Sequence, residues 1–170
     1  VKRRIKGTKS MLSKFFSKQK LNIYAPFSGI VNPLDQVPDP VFSERMLGEG
    51  VAILPVSGDV FAPCDGSIIH LATTKHAIGL RAGDGTEILI HIGLETVSLG
   101  GQGFTACVEQ GDIVKKGQLL IQVDWDFLRE KAINLVTPIV VTNSNEKKVN
   151  LIDTPQAEEG KTILMTVSSK

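Results

Sequence analysis

Two of the three histidines in this 170-residue sequence fall in one stretch, "ATTKHAIGLRAGDGTEILIHIGLE" (residues 72–95), within runs that are otherwise strongly apolar. An imidazole titrates near neutral pH, and its neutral form offers a nucleophilic or metal-binding nitrogen, so histidines set close together can do chemistry. In "EILIHIG" the two-residue period of a strand sends Ile88, Ile90 and Ile92 to one face and Glu87, Leu89, His91 and Gly93 to the other. The same counting in "TTKHAIGL" groups Thr74, His76, Ile78 and Leu80. Between the two runs, Asp84-Gly85 suits a two-residue hairpin turn. That turn pairs His76 with Gly93, Ile78 with His91 and Thr74 with Glu95. His76 and His91 become diagonal neighbours, with backbones roughly 7 to 8 Å apart. A three-residue loop would reverse the parity and separate the two rings.

Two convergent imidazoles, the Thr74 hydroxyl and the Glu95 carboxylate suit three tasks. Zinc accepts imidazole and carboxylate ligands, so His76 and His91 are candidate zinc ligands, although no third is evident. A histidine pair can act in acid-base catalysis. One imidazole can also take a group covalently while the other stabilises it. His70, alone in "GSIIHLA", reads as an ordinary half-buried strand residue.

The elements that must position these side chains are strands. Sixteen Gly, eight Pro and turn signals every 8 to 12 residues or so favour an all-β fold over a helical bundle, and 42% hydrophobic residues are enough for a real core. "YAPFSGIVNPL" and "FAPCDGSIIHL" share one pattern, aligning Ala25 with Ala62 and Gly29 with Gly66, so the chain carries an internal duplication. Two such units packed face to face make an antiparallel sandwich. Only "DWDFLREKAI", Asp124 to Ile133, has helix-forming composition, giving an all-β fold with one or two short helices.

A net charge of +1 conceals two regions of opposite character. Residues 1–20 hold eight of the 19 basic residues and no acid, which leaves the remainder at −7. An acidic body disfavours a nucleic-acid surface. The sequence divides into a basic tail, residues 1–21, and a folded domain, residues 22–170. Met11 reads as a natural start preceded by an extension. "MLSKFFSK" sets Leu12, Phe15 and Phe16 among lysines, so membrane contact would be peripheral, on an anionic surface. No apolar run reaches the roughly 18 residues of a membrane span, and a cytoplasmic location is expected. Cys64 and Cys107 read as reduced thiols, Cys107 as a packed one, neither disulfide-bonded nor part of a Cys-rich zinc site.

"VPDPVFSERMLGEGVAI", "APCDGSI", "TTKHAIGL", "GTEILIHIGLETVSL" and "GFTACVEQGDIVKKGQ" together resemble the glucose-type enzyme IIA family of the bacterial phosphoenolpyruvate-dependent sugar phosphotransferase system. The resemblance runs from about Tyr24 to the C-terminus and implies an antiparallel β-sandwich built on a duplicated motif. It implies a phosphotransferase component with no cofactor beyond a covalent phosphate on His91, received from phospho-HPr and passed to a cysteine of the IIB domain of a glucose-family permease. By the same resemblance His76 stabilises the phosphoryl group, Thr74 belongs to its hydrogen-bond network, and Val41, Phe42, Met46, Leu47, Ala72, Ile78 and Leu89 form an apolar docking rim joined by Glu95.

Ala72 stands where enteric members carry a bulky aromatic and Glu95 where many members carry Asp, while "HAIGL" and "VPDPVF" are closer to Gram-positive members. Two further readings compete with a phosphocarrier. One is a regulatory protein whose phosphorylation state controls partners through the same surface. The other is a zinc endopeptidase on a related fold, which would need a His-x-His pair where this sequence has His91-Ile92-Gly93.

Overall fold

The computed structural model describes residues 19–131 and 133–170. The stretch of the basic tail before Gln19, with its apolar residues Leu12, Phe15 and Phe16, lies outside them. In chain order the first strands are β1 (Leu21–Tyr24), β2 (Ser28–Pro33), β3 (Glu49–Ser57), β4 (Val60–Phe61) and β5 (Gly66–Leu71). The histidine hairpin is β6 (Ala77–Arg81) and β7 (Glu87–His91), followed by β8 (Phe104–Ala106), β9 (Ile113–Val114) and β10 (Leu119–Val123). The last are β11 (Thr137–Val141), β12 (Lys147–Leu151), β13 (Gln156–Ala157) and β14 (Ile163–Ser169). Two short α-helices, α1 (Pro40–Ser43) and α2 (Trp125–Glu130), interrupt them.

These strands form an antiparallel sandwich. One sheet runs β13-β2-β3-β11-β7-β6-β5-β9, and two three-stranded sheets, β1-β14-β12 and β4-β10-β8, complete the structure. Ile53, Ile68, Ile78, Leu80, Ile88, Ile90 and Ile139 of the large sheet join Ile23, Leu120, Ile121, Leu164 and Met165 of the small ones in the main core. The other face of the large sheet carries a second apolar cluster, in which Leu34, Val37 and Phe42 cover Ala52, Leu94, Val136 and Val140. Strand β11 is buried along its whole length because it serves both clusters, Ile139 on one face and Val140 on the other.

The duplication seen in the sequence is built as a matched pair. Tyr24 N–H donates to the Pro63 carbonyl (3.0 Å) and Phe61 N–H to that of Pro26 (2.9 Å). Ala25 and Ala62 each accept from a glycine N–H, Gly160 and Gly117, at 2.9 Å. Ser28 Oγ accepts from Glu159 N–H at 2.9 Å, and Asp65 Oδ1 from Lys116 N–H at 2.7 Å. The shared glycine has a steric cause: a Cβ on Gly29 would lie 2.2 Å from the Leu54 carbonyl oxygen, and one on Gly66 2.4 Å from that of Arg81. The polar residue one place before it supplies the acceptor.

The hairpin register differs from the expected one. Ala82 N–H donates to Thr86 O (2.9 Å) and Gly85 N–H to Ala82 O (3.0 Å), which leaves Gly83, Asp84 and Gly85 as a three-residue loop with Gly85 at φ +87°. His91 therefore lies opposite Ala77, and Ile78 opposite Ile90. Distant residues hold this choice in place. Lys147 Nζ donates to the Asp84 carbonyl (2.7 Å), Asn143 Nδ2 to Gly85 O (3.0 Å), and Glu87 N–H to Asn143 Oδ1 (3.0 Å).

The helix expected over Asp124–Ile133 forms at Trp125–Glu130, N-capped by the Asp124 carboxylate, which accepts from Phe127 N–H at 3.0 Å. Helix α1 is a single turn in "PDPVFS". Asp39 accepts from Val41 N–H at 3.0 Å, and Pro40 at the first helical position already has its φ set.

Candidate functional site

His91 ends β7 on the face opposite the main core, as the alternation in "EILIHIG" requires, with Ile88, Ile90 and Ile92 buried behind it. Its Nδ1 lies 2.8 Å from the Gly93 carbonyl oxygen. A carbonyl only accepts, so Nδ1 carries the hydrogen and the lone pair is left on Nε2. The carbonyl can turn back onto the ring because Gly93 has φ +68°, and a Cβ there would lie 2.8 Å from Thr96 Cγ2. Gly93 N–H donates to Thr137 Oγ1 (3.2 Å) and Leu94 N–H to Asn134 O (2.8 Å), fixing the loop.

His76 meets His91 by a route that strand parity excludes. With a three-residue loop, His76 falls opposite Ile92, whose N–H donates to the His76 carbonyl (2.7 Å), and regular pleating would turn its ring into the core. The chain bends just before β6 instead. Lys75 takes φ +59°, and the ring of His76 stands 5.0 Å from that of His91 at an interplanar angle of 77°. Thr74 Oγ1 lies 2.6 Å from His76 Nδ1.

Both imidazoles are held neutral at physiological pH. Burial, then the neighbouring rings of His91 and His70, push His76 down to about 4. Burial also lowers His91, opposed by the Gly93 carbonyl and by the negative charge of Asp39. The result is a pair of neutral rings, one with an orientated nucleophilic nitrogen, at the edge of a sheet face.

The remaining residues named from the sequence divide into four groups. Val41, Met46 and Leu47 are exposed apolar side chains, at 37%, 67% and 38%, on the segment that covers the second cluster, and Ala72 is partly exposed. Phe42 and Leu89 belong to that cluster, Phe42 only 3% exposed with its ring 5.2 Å from that of His91. Ile78 is a correction: the observed register puts it opposite Ile90 in the main core at 0% exposure, where no partner can reach it. Glu95 is not opposite Thr74. It is exposed, left-handed (φ 59°), and starts the 3₁₀ turn Thr96–Leu99.

Sequence reasoning passed over Asp39, Gly93 and Thr137, although Asp39-Pro40 is a helix-start signal and a glycine two places after His91 is conspicuous. His70, read as half-buried, is exposed, opposite Gly79 on the same sheet face as His91. Among the described residues no group of three or more His, Cys, Asp or Glu is placed to hold a metal ion. No described helix is long and apolar enough to cross a membrane.

The family model for the phosphoenolpyruvate-dependent sugar phosphotransferase system, EIIA 1, matches residues 21–147. The PTS system glucose-specific EIIA component of Bacillus cereus is 49% identical over 149 residues, 87% of this chain and 90% of that protein. The PTS system glucose-specific EIICBA component of Staphylococcus saprophyticus is 42% identical over 151 residues, 89% of this chain but 22% of that longer protein. Among solved structures, glucose permease IIA from Mycoplasma capricolum superposes with a TM-score of 0.82 at 39% identity, over 86% of this chain and 96% of that one.

Proposed function

Since the chain belongs to the EIIA 1 family of the phosphoenolpyruvate-dependent sugar phosphotransferase system, we propose that it is a cytoplasmic phosphocarrier whose Nε2 of His91 accepts the phosphoryl group. The observation that carries this reading is the Nδ1 to Gly93 carbonyl bond, which leaves Nε2 with a free lone pair on a ring already neutral.

The donor is phosphohistidine on HPr. The Nε2 lone pair forms a bond to phosphorus as the donor's N–P bond breaks, and that electron pair stays on the donor imidazole. The phosphorylated ring of His91 keeps its Nδ1 proton and is cationic, a form that the Gly93 carbonyl and the Asp39 charge both favour. When a IIB thiolate attacks the phosphorus, the N–P pair returns to Nε2 and a neutral imidazole leaves, so no proton need move in either step.

His76 stabilises the transferring group. With the Thr74 hydroxyl donating to its Nδ1, His76 presents Nε2–H to the peripheral oxygens, where charge collects in a loose transition state. Val41, Met46 and Leu47 supply the apolar rim for each transient partner. Fusion of the equivalent domain to EIICB in the Staphylococcus relatives supports a permease IIB domain as the acceptor.

The test is mass spectrometry of the chain incubated with phosphoenolpyruvate, enzyme I and HPr. Wild type gains one acid-labile phosphoryl group, His91→Gln gains none, and His76→Gln gains it but passes it on slowly. An unmodified wild type rejects the reading.

A further inference from the structure

Phe42 sits among apolar residues whose neighbours in sequence face solvent, yet it does not. Val41 is 37% exposed and Met46 67%, while Phe42 is 3% exposed within the second cluster. Its ring lies 5.2 Å from the ring of His91 at 60°, and His76 approaches the same ring at 5.0 Å and 77°. The hydrogen bond from Nδ1 to Gly93 O anchors one point of the His91 imidazole. One such bond is a hinge and leaves the ring able to tilt. Two neighbouring rings, Phe42 and His76, restrict that freedom.

The segment that carries Phe42 is firmly set. Asp39 caps α1, Met46 N–H donates to Val41 O (3.1 Å), Gly48 N–H donates to Arg45 O (3.2 Å), and a Cβ on Gly48 would lie 2.1 Å from the Val141 carbonyl oxygen. The Phe42 ring is therefore placed by this segment and by its packing with Ala52 and Val140 of the large sheet. A ring with almost no accessible surface has nothing to offer a docking partner.

We propose that Phe42 is a positioning residue for His91, a fixed wall that holds the imidazole in line for transfer, and not a docking residue. The proposal rests on His91 being the phosphoryl acceptor. In-line transfer is sensitive to small angular errors, so loss of the wall acts on the reaction within the complex.

The experiment is rapid-quench phosphorylation of the full chain by phospho-HPr over a range of donor concentrations, for wild type, Phe42→Leu, Phe42→Tyr and Val41→Ala. Phe42→Leu keeps an apolar filler in the cluster, and circular dichroism confirms its folding. The maximal rate is expected to fall about 10-fold or more in Phe42→Leu, with the half-saturating donor concentration within about 2-fold of wild type. Phe42→Tyr keeps the ring at the cost of a hydroxyl in an apolar cluster, and its maximal rate lies above that of Phe42→Leu. Val41→Ala, at the exposed rim, shows the opposite split, raising half-saturation more than it lowers the maximum.

A rise in half-saturation as the main effect of Phe42→Leu would make Phe42 a docking residue and overturn the proposal, and so would the absence of any effect. A wild type that takes no phosphoryl group on His91 would instead overturn the acceptor assignment, and this proposal with it.

Discussion

His76 and His91 face each other with ring centroids 5.0 Å apart although the strand register places Ala77, not His76, opposite His91. Their meeting depends on the left-handed Lys75 (φ +59°), which takes His76 out of the pleat, and on Thr74, whose hydroxyl lies 2.6 Å from His76 Nδ1.

Removing that hydroxyl separates the roles of the two rings. In Thr74→Val, phosphoryl acceptance at His91 persists, while onward transfer slows about five- to tenfold, the equivalent of one side-chain hydrogen bond of about 1 kcal/mol. Thr74→Ser restores the rate. Single-turnover transfer to a IIB domain checks both, and equal slowing by Ser and Val would place the effect in packing.

The depressed imidazoles make the fold acid-sensitive. His76 is pushed down to about 4 by burial, His91 and His70, against about 6.5 in an unfolded chain. Between those values the unfolded state binds a proton that the folded state refuses, so stability rises with pH from about 4 to 6.5 and is level above. His76→Gln flattens this slope, removing on the order of 1 kcal/mol of acid lability once solvent access to the ring is allowed for. Urea unfolding at pH 5 and 7.5 measures it, and an unchanged difference between the two pH values contradicts the assignment.

The duplicated glycines bear matched steric loads. Gly29→Ala and Gly66→Ala each press a methyl group onto a carbonyl oxygen, Leu54 O and Arg81 O, and each costs about 1 to 3 kcal/mol. Gly83→Ala meets nothing within 4 Å and stays within about 0.5 kcal/mol of wild type. Thermal unfolding of the three variants is the check, and a neutral Gly66→Ala would refute the close approach.

The two thiols differ in reactivity. Burial, then Asp65 and Asp84, push the Cys64 thiol up to about 12, whereas Cys107, expected to be packed, is exposed. Iodoacetamide at pH 8 labels the native chain once, at Cys107, as the thiolate is the reactive form. Peptide mapping before and after denaturation identifies the site, and labelling of Cys64 in the native chain would contradict its burial.

Local rules were enough to read several features from the sequence. Alternation in "EILIHIG" placed His91 on the face away from the Ile88, Ile90 and Ile92 core, since a strand keeps its pleat wherever it packs. The repeated Ala-Pro-x-x-Gly units announced a duplicated sandwich, because a close backbone approach restricts residue type on the spot, and the helix-forming composition of "DWDFLREKAI" announced α2. Other features depended on contacts remote in sequence. The hairpin loop has three residues and not two because Asn143 and Lys147 hold Asp84, Gly85 and Glu87 from another part of the chain. That register buried Ile78, and packing of Leu34 to Phe42 over the outer sheet face turned Phe42 from rim to wall. The sequence named the two imidazoles, whereas their 5.0 Å approach came from the cross-strand pairing of Ala77 with His91 and from the left-handed turn at Lys75, closed by Lys75 N–H to Ala72 O (2.8 Å) and Ala72 N–H to Ala77 O (3.0 Å), which no two-residue period records.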